Sequence, residues 1–195
     1  MNNLIGKTFS LIGRSGSGKG VQGELLEKFL REQDYAVLRL VMGDYGRQLA
    51  GEPTVIGRLV KEALAKGGLF PTWLALSILV EAIEDLLKDK NQILIIDGAP
   101  RRLPEAQIID ELMTDIGRSP LIPIYLDVSE DECRKRLQLR ARGDDRSLIN
   151  IDKRLSWFKT ETVSVLDYYS QRAVKINGEG DIEQIHDSIK NSIGN

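Results

Sequence analysis

A single glycine-rich stretch constrains the fold of this chain more than any other. Gly13-Arg14-Ser15-Gly16-Ser17-Gly18-Lys19 follows the apolar run 8–12 and opens a segment in which Val21, Leu25, Leu26, Phe29 and Leu30 recur at helical spacing. G-x-x-x-x-G-K between a strand and a helix is the spacing of a loop that cradles phosphate. The glycines let successive backbone N–H groups turn inward, the helix start adds its positive dipole end, and Lys19 supplies a mobile cation. Four further short apolar runs, 36–41, 93–96, 121–126 and 173–176, alternate with segments of helical period, the last run being the weakest. Continuously apolar strands separated by helices imply a parallel sheet covered on both faces. The expected fold is therefore α/β, a three-layer α/β/α sandwich around a five-stranded parallel sheet. The 195 residues suffice for about one domain.

Two segments interrupt the strand–helix alternation. Residues 43–77 are helical in period but broken by Gly51, Pro53, Gly67, Gly68 and Pro71, and residues 140–151 are polar and glycine-bearing. Both read as insertions on the loop side of the sheet, where function concentrates and mobile lids arise. The core is then 1–42, 78–139 and 152–195, with insertions at 43–77 and 140–151. Lys and Arg number 27 against 29 Asp and Glu, a net charge of −2, which argues against a general nucleic-acid binder. The longest apolar stretch, 69–80, contains Pro71, Thr72 and Ser77 and stops at Glu81, too short to cross a bilayer. The first ten residues hold no apolar signal segment, and Cys133 is the one cysteine. These features lead us to expect a cytoplasmic, membrane-free protein with neither disulfide nor zinc. Trp73 and Trp157 read as packing residues, Cys133 as a small buried apolar group, and His186 as a boundary residue of an amphipathic helix.

The remaining chemistry-bearing residues follow strand ends. The apolar strand from Ile93 runs into Asp97, a carboxylate placed to orient a metal ion or its waters beside a phosphate loop; the plainer reading is a cap for the next turn. Arg47 and Arg101 each stand beside glycines after a strand, and guanidinium forks match phosphate oxygens bidentately. Between Arg134 and Arg154 lie eight Lys or Arg against three Asp, a local charge of +5. Ser129-Glu130-Asp131-Glu132 reads as a capping box that starts a helix. On that helix Arg136 and Arg140 share a face at i, i+4. The run is read either as a solvated face or as a basic lid, and its break in an otherwise packed pattern favours the lid.

Gly18-Lys19-Gly20-Val21-Gln22 resembles the phosphate loop of the adenylate kinases and related nucleoside monophosphate kinases, with Val21 where that family usually has Thr. Gly43-Asp44-Tyr45-Gly46-Arg47, Gly67-Gly68-Leu69-Phe70-Pro71 and Asp97-Gly98-Ala99-Pro100-Arg101 resemble three further family segments, in order. The likeness covers nearly the whole chain. It implies a P-loop NTPase-type fold in which 43–77 binds the nucleoside monophosphate and 140–151 is the short form of the lid. It also implies ATP as phosphoryl donor, a nucleoside monophosphate as acceptor, and Mg²⁺ held by Asp97 through water. ATP would meet residues 13–21 together with Arg136, Arg140 and the backbone at Gly178, which lies in the turn Asn177-Gly178-Glu179-Gly180. The acceptor would meet Met42, Arg47, Gly98, Arg101, Glu105, Arg142 and Arg154. Lys19, Asp97, Arg101, Arg140, Arg142 and Arg154 would carry the transfer. The chain is expected to act as a monomer.

One substitution bears on the acceptor base. The family usually has Gln at the position of Glu105, where it pairs with the adenine edge, and Thr at the position of Met42. An ionised carboxylate only accepts hydrogen bonds, whereas Gln also donates. Glu105 either selects the base or faces solvent and selects nothing. AMP is the family default, with CMP, UMP or GMP as alternatives; a binding module without turnover and a small-metabolite kinase are the readings from other classes. A monophosphate acceptor has a second pKa of about 6 and needs no protein base, so the lack of a poised histidine fits transfer by positioning alone.

Overall fold

The computed structural model describes residues 4–140 and 148–194. Five parallel strands, β1 (Thr8–Ile12), β2 (Val37–Val41), β3 (Ile93–Asp97), β4 (Ile122–Asp127) and β5 (Val174–Asn177), form one sheet in the order β2-β3-β1-β4-β5. Phe9 pairs in register with Ile95 on one side and Ile122 on the other. The central strands β1 and β3 are buried along their whole length, as two covered faces require, while the edge strand β5 buries only Ile176. That edge position explains why 173–176 gives the weakest apolar signal.

Alternate residues of each strand feed the two layers. Ile93, Ile95, Phe9 and Leu11 pack with α1 (Lys19–Glu32) and α9 (Ile182–Ile193). Leu94, Ile96, Leu40 and Ile12 pack with α4 (Thr72–Leu86), α5 (Leu103–Asp115) and α8 (Val163–Tyr168). At the amino ends of the strands the buried Arg118 donates to the carbonyls of Lys7, Lys90 and Gln92 and to the Thr8 hydroxyl. That end is closed, and the opening lies at the carboxyl ends.

The segment after β2 is helical, as its period predicts: α2 (Met42–Gly51), α3 (Val55–Ala65) and then α4, which continues past position 77 into the core layer. Thr54 caps α3 by accepting from the Gly57 N–H at 2.9 Å. α6 (Glu130–Arg140) and α7 (Leu148–Trp157) share a small core of Val128, Cys133, Leu137, Ile151 and Leu155. Residues 158–162 form one widened helical turn between α7 and α8. Arg142 and the rest of 141–147 lie outside the described residues. Among the described residues no helix is long and apolar enough to cross a membrane.

Candidate active site

The order β3-β1-β4 makes β1 the point from which connections leave in both directions, and a crevice opens there beyond the strand ends. The loop 13–18 occupies it. Gly16 has φ +87°, and a Cβ there would lie 2.6 Å from the Cys133 carbonyl oxygen, so α6 presses against the loop and only glycine fits. Ser15, Gly16, Gly18, Lys19, Gly20 and Val21 face one cavity of about 570 Å³. Gly13 and Arg14 line a narrow adjoining space with Lys19, Arg101 and Arg154. Ser17 is buried beneath the loop. The Lys19 ammonium donates to the carbonyls of Gly13 at 2.8 Å and Arg14 at 2.7 Å.

Burial, and after it the nearby Arg101 cation, lower the Lys19 pKa from 10.5 to about 8, against the opposing pull of Asp97. Bound phosphate favours the ammonium form and raises this pKa. The free protein therefore loses its proton first as pH increases, and phosphate binding must then restore it. Affinity for a phosphate-bearing ligand should be flat below about pH 8 and weaken above it, by up to about tenfold per pH unit, until the complex also deprotonates. A binding profile against pH with inorganic triphosphate as the probe checks this. A flat profile through pH 9 would contradict it.

The widened turn after α7 supports the loop from below. It places the buried Phe158 ring 4.2 Å from the Arg14 guanidinium carbon and stacks that ring on Tyr125 at 5.9 Å. It also brings the Thr162 hydroxyl to the Arg101 carbonyl, 3.2 Å away. Arg101 is further held by its own Nε, which donates to the Gly98 carbonyl at 2.8 Å. Burial and the neighbouring Arg154 lower the Arg101 pKa. Two guanidiniums and the Lys19 ammonium thus crowd into one region, an arrangement suited to an anion of high charge.

The opposite wall comes from the start of α2. Met42, Gly43, Asp44 and Arg47 line the cavity, and Arg47 pairs with Asp44 one helical turn away. Gly98 and Glu105 line the same wall. Glu105 is 3% exposed, which overturns the solvent-facing reading. Its Oε2 accepts from the Arg101 N–H at 2.7 Å, and Arg102 stands 3.9 Å from Oε1. Burial raises the Glu105 pKa, opposed by the Arg101 N–H and the Arg101 and Arg102 cations.

Asp97 ends β3 and is buried at 7% exposure, yet it faces the cavity. Gly20 stands where many phosphate loops place a hydroxyl; a Cβ there would be 3.6 Å from Asp97 Oδ2. The absent side chain leaves room beside the carboxylate. Among the described residues no three His, Cys, Asp or Glu side chains gather into a metal cage. One carboxylate with open space toward a phosphate loop fits Mg²⁺, which keeps several waters and takes its other ligands from phosphate.

Arg136, Arg140 and Arg154 reach the same cavity from α6 and α7. Arg136 is aimed by two bonds, from Nε to Glu132 at 2.8 Å and from Nη2 to the Gly178 carbonyl at 3.1 Å. Arg136 and Gly178 are therefore neighbours. The capping box is half formed. The Glu132 N–H donates to the Ser129 hydroxyl, but the Ser129 N–H goes to Glu179, because the Glu132 side chain is engaged by Arg136.

Sequence reasoning missed three cavity residues or supports. Arg39 lines the cavity and pairs with Glu27 at 2.7 Å; its signal was a charge inside the strand Val37-Leu38-Arg39-Leu40-Val41. Arg102 donates to the Phe70 carbonyl and pairs with Glu161 at 3.4 Å. Trp157 lines the cavity and donates to the Gly67 carbonyl at 3.0 Å, so it does more than pack. Trp73 is 55% exposed on α4 and is not a packing residue.

A parallel sheet of this order, a phosphate loop at the end of its central strand and a cavity walled by cations define a P-loop phosphotransferase. The family model described as adenylate kinase matches residues 11–174. Adenylate kinases of Parabacteroides distasonis and Nautilia profundicola are each 32% identical to this chain over 190 residues, covering 95% and 96% of it and 96% of each relative. That of Azobacteroides pseudotrichonymphae is 31% identical, over 95% of this chain and 96% of the relative. The chain belongs to the adenylate kinase family.

Proposed function

We propose that this chain transfers the γ-phosphoryl group of ATP reversibly to AMP, giving two ADP. The carrying observation is that the phosphate loop and the α2 wall open into one cavity, with Lys19, Arg47, Arg101, Arg136, Arg140 and Arg154 around it. Two nucleotides that meet there have their phosphates toward one another, and the cations offset the repulsion. ATP lies along residues 13–21 with its base toward Arg136 and Gly178. AMP lies against Met42, Arg47, Gly98, Arg101 and Glu105. Arg140, Arg142 and Arg154 complete the charge around the transferred group, and residues 140–151 act as the lid that excludes water. Mg²⁺, when bound beside Asp97, neutralises phosphate charge and orients the donor.

The AMP phosphate attacks in its ionised form, so this chain holds the two groups in line, stabilises charge and keeps water out. Lys19 follows the donor's phosphates, and Arg101 fixes the acceptor phosphate from its seat on Gly98. All of these groups come from one chain, which supports a monomer. The reading places the enzyme in the cytoplasm, where ATP and AMP are held. The name shared by the relatives favours AMP over cytosine, uracil or guanine monophosphates, and the presence of Lys19, Asp97 and Arg101 in one space speaks against a binding module without turnover.

A panel of AMP, CMP, UMP and GMP with ATP, followed by ADP formation, tests this. AMP should be the best acceptor; turnover of another monophosphate with AMP inert would overturn the reading. Glu105→Gln should keep the fold, since an amide oxygen can still accept from the Arg101 N–H. It adds a donor for adenine N1 and should lower KM for AMP by up to about tenfold. An unchanged or higher KM for AMP would show that Glu105 already serves the adenine edge fully.

A further inference from the structure

Asn150, Arg154 and Trp157 recur at i, i+4 and i+7 on one face of α7, and all three meet the turn between α3 and α4. Asn150 Nδ2 donates to the Ala65 carbonyl at 3.0 Å, and Trp157 Nε1 donates to the Gly67 carbonyl at 3.0 Å. Gly67 adopts φ +61°, and a Cβ there would lie 2.9 Å from the Asn150 carbonyl oxygen and 3.3 Å from Arg154 Cγ. Only glycine allows that approach. Ala65 ends α3, so α7 satisfies carbonyls at the carboxyl terminus of another helix, where the helix cannot satisfy its own. The next residues of the turn, Gly68, Leu69 and Phe70, line the cavity. Nothing in the transfer chemistry requires these two bonds.

We propose that Asn150 and Trp157 are positioning residues that strap the α3–α4 turn to α7. The strap brings the wall of the acceptor pocket and Arg154 to the cavity as one unit, so the acceptor is retained by a contact it does not itself make. The two donors are placed at either end of a helical face whose middle residue is Arg154. When the turn moves outward both bonds break together, and the acceptor side opens while the phosphate loop is untouched.

This inference rests on the adenylate kinase reading, and the two fail separately. If wild-type protein forms no ADP from ATP and AMP, the function fails; if wild type turns over and the strap variants match it, only the strap fails. Trp157→Phe keeps the ring and removes the donor, and Asn150→Ala removes the other bond; Trp73→Phe, on an exposed position, is the control. Each strap variant should raise KM for AMP about fivefold, the loss of one hydrogen bond, with kcat and KM for ATP within about twofold of wild type. Since the chain has two tryptophans, the Trp73→Phe protein reports Trp157 alone. Its emission should shift to the blue when a mimic joining two adenosines through five phosphates is added, and this shift should weaken in the Asn150→Ala background. An unchanged KM for AMP, or a fall in kcat with KM unchanged, overturns the proposal. If Trp157→Phe does not fold, Asn150→Ala alone decides.

Discussion

Replacing Lys19 with Met should lower kcat by about 10²–10³-fold while leaving the circular dichroism spectrum intact, because one preorganised charge aimed at a developing phosphoryl charge has that weight. Methionine is close to lysine in length and removes the cation, its two bonds to the Gly13 and Arg14 carbonyls and its longer one, 3.5 Å, to the Ser17 hydroxyl. Those carbonyls belong to a loop beside the cavity, where water can replace the ammonium as donor. The ammonium is held near its titration point by burial and by Arg101, so deleting it also relieves crowding among cations. The folded state should therefore suffer little, and the melting temperature should stay near or above that of wild type. The expected pattern is lost turnover without lost stability, read by ADP formation alongside thermal melting. Activity within about tenfold of wild type would show that Arg101 and Arg154 suffice, and would remove Lys19 from the mechanism.

The strand plan was legible because each central strand is buried on both faces and therefore reads as unbroken apolar residues. Ile93-Leu94-Ile95-Ile96 is the clearest case. The edge strand β5 is half exposed, and its signal is correspondingly faint. Local motifs located the phosphate loop, Asp97 and Arg101, since the spacing of a loop between a strand and a helix is itself the geometric requirement. The environment of Glu105 was not legible. Its place in the first turn of α5 fits solvent and interior equally well, and only the approach of Arg101 and Arg102 decides that it is inside. The partnership of Trp157 with Gly67 spans 90 residues, a separation over which no periodicity carries information.

The two arginines proposed to hold the acceptor should not be equivalent, and burial sets their order. Arg101 is fixed at three points: its N–H on Glu105, its carbonyl under Thr162 and its Nε on the Gly98 carbonyl. Its fork therefore loses little freedom when phosphate arrives, and burial, which lowers its pKa, leaves the charge poorly hydrated until an anion pairs with it. Arg47 has a side chain 46% exposed and is paired with an exposed Asp44, so it is hydrated and screened before AMP arrives. Lysine keeps the charge in each case but loses the planar fork. Arg101→Lys should accordingly reduce kcat/KM for AMP by about 10²-fold, whereas Arg47→Lys should reduce it by less than about tenfold. KM for ATP should change less than kcat/KM for AMP in the Arg101 variant, because the Gly98 seat faces the α2 wall. Steady-state kinetics with each nucleotide varied in turn measures both. Equal losses in the two variants would mean that the preorganised seat of Arg101 contributes nothing and that net positive charge alone holds the acceptor.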